Sequence, residues 1–194
     1  EELGRLPGAA GSPLALGAAG ARLVDPDGIV RRAALSALVR LAAGTAAAEG
    51  SLQHAMGCLG DPDDNVRVVA LAAVAELAPS AGDERALDAV CPHLRDADDD
   101  VRKAAATALG KLGAQGDRAR MALVGPLLDD DDEGVRRSAA RAFARLSPLG
   151  DAAAIARLTG ALRGEDEPEV KSALASALAW VRSGGGSSGQ PAAP

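Results

Sequence analysis

The chain has 194 residues, 47% of them hydrophobic, and that apolar mass is Ala, Leu and Val; Phe143 and Trp180 are the only aromatics and there is no Tyr. Good helix formers dominate and strand formers are few, so the composition excludes a β-rich fold and predicts an all-α protein. A net charge of −6 argues against a nucleic-acid binder held by phosphate neutralisation, no apolar run approaches the ~20 residues of a membrane span, and two cysteines, Cys58 and Cys91, are too few for a disulfide framework, which favours a reducing intracellular compartment.

In chain order, residues 1–8 read as the end of a helix, because Leu3-Gly4-Arg5-Leu6 matches Leu109-Gly110-Lys111-Leu112. They are expected to be the remnant of a preceding repeat. Ser12 then caps a helix over Pro13–Leu23, with proline at its first position. Further first helices are expected at Leu52–Leu59, Glu84–Leu94, Asp117–Leu128 and Ala152–Leu162. Gly82-Asp83, Gly116-Asp117 and Gly150-Asp151 mark a break followed by a cap. Pro92 and Pro126 should kink the last turn of their helices by removing a backbone donor. Residues 183–194, rich in Gly, Ser, Pro and Ala, read as a flexible tail.

The second helices are the clearest. Counting from Val30, Val66, Val101, Val135 and Val170, positions +3, +4, +7, +8 and +11 are apolar in every case except Ser138. That spacing is one face of an α-helix. An acidic residue precedes each of these helices and a basic one follows six positions later: Asp25/Arg31, Asp61/Arg67, Asp96/Arg102, Asp130/Arg136 and Glu165/Lys171. The acidic members are 36, 35, 34 and 35 residues apart. A fixed period of this length predicts a stacked array over 9–182, with two-helix modules at about 12–43, 50–79, 83–114, 117–148 and 151–182.

Two helices per period, with Asp in the turn and Val-Arg opening the second helix, resembles the HEAT-repeat family, most closely its short, phycobilisome-lyase-type units. The motif is Leu-x-Asp-x-x-x-x-Val-Arg-x-x-Ala-x-x-Ala-Leu, as in Leu94–Leu109, and the resemblance covers about 12–182. It implies a right-handed α-solenoid of about five two-helix HEAT-like repeats. It also implies that the five acidic–basic pairs form a hydrogen-bonded ladder between modules, a structural and not a catalytic arrangement. Tetratricopeptide units need aromatic landmarks that this chain lacks, and armadillo units need a third helix.

In HEAT-like arrays the second helix lines the concave side. The positions beside each ladder residue, and four and eight further on, form one stripe there. It carries Arg32 and Arg40, then Lys103 and Lys111, then Arg137, Arg141 and Arg145, and ends at Trp180. Arg and Trp are enriched where interfaces concentrate their energy, so this stripe is the expected partner-binding surface.

Enzymatic chemistry has little to stand on. Asp129-x-Asp131-x-Glu133-Gly134 opens like a calcium loop, but its twelfth position is Ala140. His54 and His93 are the only histidines and lie on different first helices, which leaves no zinc set. Arg136-Arg137-Ser138 resembles a basophilic kinase site, but Ser138 is expected to face the core. The expected function is therefore a non-catalytic protein–protein interaction scaffold, without metal or cofactor. Its partner would be a protein or peptide, acidic in character, within a larger complex and with neither nucleic acid nor membrane insertion involved. The alternative, by analogy of repeat type alone, is an enzyme subunit or chromophore-lyase-like chaperone.

Overall fold

Aspartate punctuates the chain, and most of its helices start behind one. The computed structural model describes residues 11–183. The expected repeat remnant at 1–8 and all of the expected tail beyond Ser183 lie outside the described residues. Ten α-helices follow one another, and no strand occurs among the described residues. They are α1 (Pro13–Ala21), α2 (Gly28–Ala42), α3 (Ala48–Gly57), α4 (Asp64–Leu77) and α5 (Glu84–Val90), then α6 (Asp99–Leu112), α7 (Arg118–Val124), α8 (Glu133–Leu146), α9 (Ala152–Gly164) and α10 (Pro168–Ser183). No helix among the described residues is long and apolar enough to cross a membrane.

Side-chain caps explain most of the starts. Asp27, Asp63, Asp98 and Asp132 accept backbone N–H groups of α2, α4, α6 and α8 at 2.8–3.0 Å. Ser12, Asp83, Asp117 and Asp151 do the same for α1, α5, α7 and α9. Each such cap is worth about 1 kcal/mol. No side chain caps α3, expected from Leu52 and found to start at Ala48. Thr45 takes over instead: its hydroxyl donates to Ala42 O at 2.7 Å and accepts Ala47 N–H at 3.2 Å. That local turn brings the chain into the helix four residues early.

Pro92 and Pro126 lie in 3-10 stretches, Cys91–Arg95 and Gly125–Asp129, that tighten the ends of α5 and α7. The same tightening at Arg22–Val24 contains no proline. Proline thus fits a turn that the repeat makes anyway. Gly116 and Gly150, at φ +87° and +73°, reverse the chain between modules in a conformation only glycine adopts freely. Their N–H groups reach the last turns of α8 and α10, at Leu146 O (2.8 Å) and Val181 O (2.7 Å).

The chain divides into two compact units between Pro92 and His93. In the first, α2 packs on α1, α3 and α4, and α4 also contacts α5. In the second, α8 sits between α6 and α10 and also meets α7, while α9 packs on α10. The second-helix columns at +4, +7, +8 and +11 are buried in every module, from Ala34, Ala37, Leu38 and Leu41 to Leu174, Ala177, Leu178 and Val181.

Two columns depart from the expected face. Ala33, Val69, Ala104 and Ser138 at +3 are half-exposed, so Ser138 is not a core residue. The +5 residues Leu35, Ala106 and Ala140, outside the expected face, are fully buried. Each of these helices must contact a following second helix as well as its own first helix, and the buried arc widens to include +5. At the last helix, Ala175 occupies +5 and is exposed.

Candidate functional site

Three arginines join successive modules by the same fork. Arg31 Nε and Nη2 donate to Asp61 at 2.7 and 2.6 Å. Arg102 donates to Asp130 through both groups at 2.9 Å. Arg136 donates to Glu165 at 2.7 and 3.1 Å. The third nitrogen, Nη1, turns back to the acidic turn of its own module, at Asp25 O, Asp96 O and Asp130 O (2.9, 3.0 and 2.8 Å). Arg67 makes the same return to Asp61 O at 3.0 Å.

Within the four Asp/Arg pairs six residues apart, then, the basic group meets a backbone carbonyl. The carboxylate it grips, where these three forks form, belongs to the next pair. The reason is that each turn carboxylate is committed at both ends. Asp25, Asp61, Asp96 and Asp130 each accept the N–H two residues on at 2.9–3.1 Å. Glu165, one methylene longer, accepts two, from Asp166 and Glu167 at 3.0 Å. Lys171 is exposed, and a single ammonium lacks the planar fork that Arg uses.

These rungs are saturated, structural groups. The Arg31 guanidinium holds Asp61 below the usual carboxylate range, and Arg136 does the same for Glu165. At Asp130 burial is the largest single influence and pushes upward, but the Arg102 hydrogen bonds, the Asp132 N–H and two nearby guanidinium charges together bring it below its ordinary value. Because these carboxylates stay ionised to lower pH when folded, the unfolded chain binds more protons in acid. Their stabilisation is complete above the ordinary values of 4.5 (Glu) and 3.8 (Asp) and is lost as pH falls through the depressed ones. The expected result is a urea midpoint that stays level from neutral pH down to about 5 and drops steeply below about 4; a midpoint unchanged at pH 3 contradicts it.

Away from the rungs, α6 and α8 frame a groove. The stripe spacing places Lys103 and Lys111 on one wall and Arg137, Arg141 and Arg145 on the other. Thr107 and Ser138 complete the rim, and Ala106, Gly110 and Ala142 form the floor. The groove has a volume of about 220 Å³. Gly110 sets its depth, since a Cβ there would stand 3.0 Å from Ala142 Cα. The two helices approach each other at that point as no larger residue would allow.

Not all five cations are available. Lys103 pairs with Asp100, and Arg137 pairs with Glu169. Lys111 is exposed, Arg141 is half-exposed, and neither has an ion-pair partner among the described residues. Arg141 also borders a smaller cleft toward α10, with Glu169, Ser172 and Ser176.

The remaining stripe residues fall elsewhere. Arg32 and Arg40 are exposed on α2 in the first unit. Trp180 is half-buried on α10 and lines neither cleft; its indole Nε1 is buried with no acceptor among the described residues. The stripe spacing also runs through Thr107, between Lys103 and Lys111; sequence reasoning missed the rest of the neutral lining, Ala106, Gly110, Ser138 and Ala142. The one hint of them was a glycine inside the α6 pattern, a residue that costs helix stability relative to alanine.

The other candidates have structural partners. Asp129 pairs with Arg157 at 2.5 Å, and Asp131 O accepts from Arg136 at 3.0 Å. His54 Nδ1 lies 2.9 Å from Gly50 O, and His93 Nδ1 lies 3.7 Å from Asp96. Cys58 is buried, which pushes its thiol up, and Cys91 is half-buried; neither is in a disulfide.

Comparison with known proteins agrees with this architecture. The family model for HEAT repeats matches residues 52–144 and again 88–179. An engineered protein solved by the Northeast Structural Genomics Consortium is similar over 94% of this chain and 88% of its own, at 25% identity and a TM-score of 0.60. A designed armadillo repeat protein in complex with the peptide (KR)4 is similar over 86% of this chain and 82% of its own, at 23% identity and a TM-score of 0.63. None of the curated proteins matches. With two overlapping matches that together span well over half of its length, the chain belongs to the HEAT-repeat family.

Proposed function

We propose that this protein is a non-catalytic scaffold that holds a partner protein or peptide along the exposed face of its second helices, with the α6–α8 groove as the central contact. The observation that carries this is the gathering of five cations around one groove in a chain of net charge −6. Repeat modules use their recurring polar chemistry for stacking, as the three saturated rungs do, and act by offering surface. The designed armadillo relative holds a basic peptide. Here the walls are cationic, so the complementary partner surface is acidic.

Affinity capture with the wild-type array as bait, compared with the charge-reversed Arg137→Glu, Arg141→Glu, Arg145→Glu variant, tests this. The variant is expected to keep its helical circular dichroism and lose the retained partner, because like charges now face it. Equal capture by both baits would reduce the stripe to a wet surface.

A further inference from the structure

The groove is asymmetric, and the asymmetry specifies a ligand. Resting on the proposal that the second-helix face binds a partner, the geometry points to an acidic segment carrying one bulky apolar side chain: the side chain seats on the floor at Ala106, Gly110 and Ala142, and the flanking carboxylates meet Lys111 and Arg141.

Size supports the first half. At about 220 Å³ the groove is smaller than the ~300–1,000 Å³ that enclose a small-molecule ligand. It holds roughly seven waters at ~30 Å³ each, the scale of one leucine or phenylalanine side chain. Its floor is methyl and Cα surface, made deep by the missing Cβ of Gly110. Such a surface offers an anchor burial but no hydrogen bond, and so selects apolar over polar.

Charge supports the second half. Asp100 and Glu169 already neutralise Lys103 and Arg137, and a ligand carboxylate at that end must compete with them. Lys111 lies eight residues beyond Lys103, and Arg141 four beyond Arg137, two turns and one turn toward the C-terminal ends of α6 and α8. No carboxylate of this chain answers them among the described residues. The electrostatic demand therefore lies beside the floor and toward those ends, which orients the segment as well as selecting it.

Fluorescence anisotropy with two labelled nonapeptides tests this directly. Both alternate Asp and Glu; one has a central Leu and the other a central Ser. The Leu peptide is expected to bind the array about tenfold more tightly, ~1.4 kcal/mol. Thr107→Trp, which fills the groove from its half-exposed rim, is expected to bring the Leu peptide down to the Ser level and leave the Ser peptide unchanged. Lys111→Gln with Arg141→Gln is expected to weaken both peptides equally, with Lys111→Glu and Arg141→Glu doing so further; circular dichroism melts check that each variant folds.

Equal affinity for Leu and Ser peptides, or a Leu advantage that survives Thr107→Trp, overturns the anchor while leaving partner capture by the wider face intact. Indifference of both peptides to the Lys111 and Arg141 variants overturns the charge assignment. If a basic nonapeptide binds in preference to both acidic ones, this inference and the acidic-partner proposal fall together.

Discussion

Arg136→Met is expected to lower the unfolding free energy by about 3 kcal/mol, the low end of what breaking a buried ion pair costs. Four hydrogen bonds leave with the guanidinium, two to Glu165 and one each to Asp130 O and Asp131 O. What remains is worse than the loss itself, since Glu165 is only 8% exposed and its charge is stranded. The low end applies because Glu165 keeps two backbone N–H donors. Arg136→Lys restores the charge but not the fork, and is expected to recover only part of the deficit. Arg32→Met, at an exposed arginine with no partner among the described residues, should change stability by no more than ~0.5 kcal/mol. Urea unfolding at pH 7 compares the three, and equal midpoints for the Arg136 and Arg32 variants would mean that the rungs do not hold the modules together.

Gly110→Val is expected to cost about 2–3 kcal/mol through overpacking. The new Cβ would meet Ala142 at 3.0 Å from Cα and 3.1 Å from Cβ, atoms of a helix backbone that cannot swing aside. Valine is the informative choice, because alanine would gain up to ~1 kcal/mol of helix propensity and mask part of the clash. Gly160 provides the opposite case. It is exposed within α9 with nothing within 4 Å of a built Cβ, so Gly160→Ala should stabilise by ~0.5–1 kcal/mol. Thermal melts of the two variants should move in opposite directions; a shift of the same sign would mean that the α6–α8 approach is not tight.

The contrast between those glycines shows where sequence stopped informing. Periodicity gives the angular register of a single helix. That was enough to put Ala37, Leu38 and Leu41 inside and to align Lys103, Lys111, Arg137 and Arg141 on one side. It does not state which neighbour a face meets. The +5 residues Leu35, Ala106 and Ala140 were invisible because their burial comes from a helix some thirty-five residues away. The partner of each rung arginine was hidden for the same reason. Asp25 and Arg31 are close in sequence, yet the carboxylate that Arg31 grips is Asp61. Gly110 looks the same in sequence as Gly160, and only the approach of α8 makes it the floor of a groove. The early start of α3 escaped notice because Thr45 builds a local turn that no helical pattern announces.

If the modules are interchangeable, removing one whole module should leave a folded protein. Excising residues 117–150 joins Gly116 to Asp151, replacing one Gly-Asp junction with its equivalent. Gly116 then stands where Gly150 met Val181 O, Asp151 still caps α9, and Arg102 faces Glu165 in place of Asp130. A far-UV circular dichroism melt of this shortened chain is the decisive measurement. Helical signal per residue close to that of the full chain, lost in one cooperative transition at a somewhat lower temperature, is what stacking by nearest-neighbour contacts requires. A shortened chain without helix at 25 °C would contradict it, because α6 and α10 would then depend on something that only the excised residues supply.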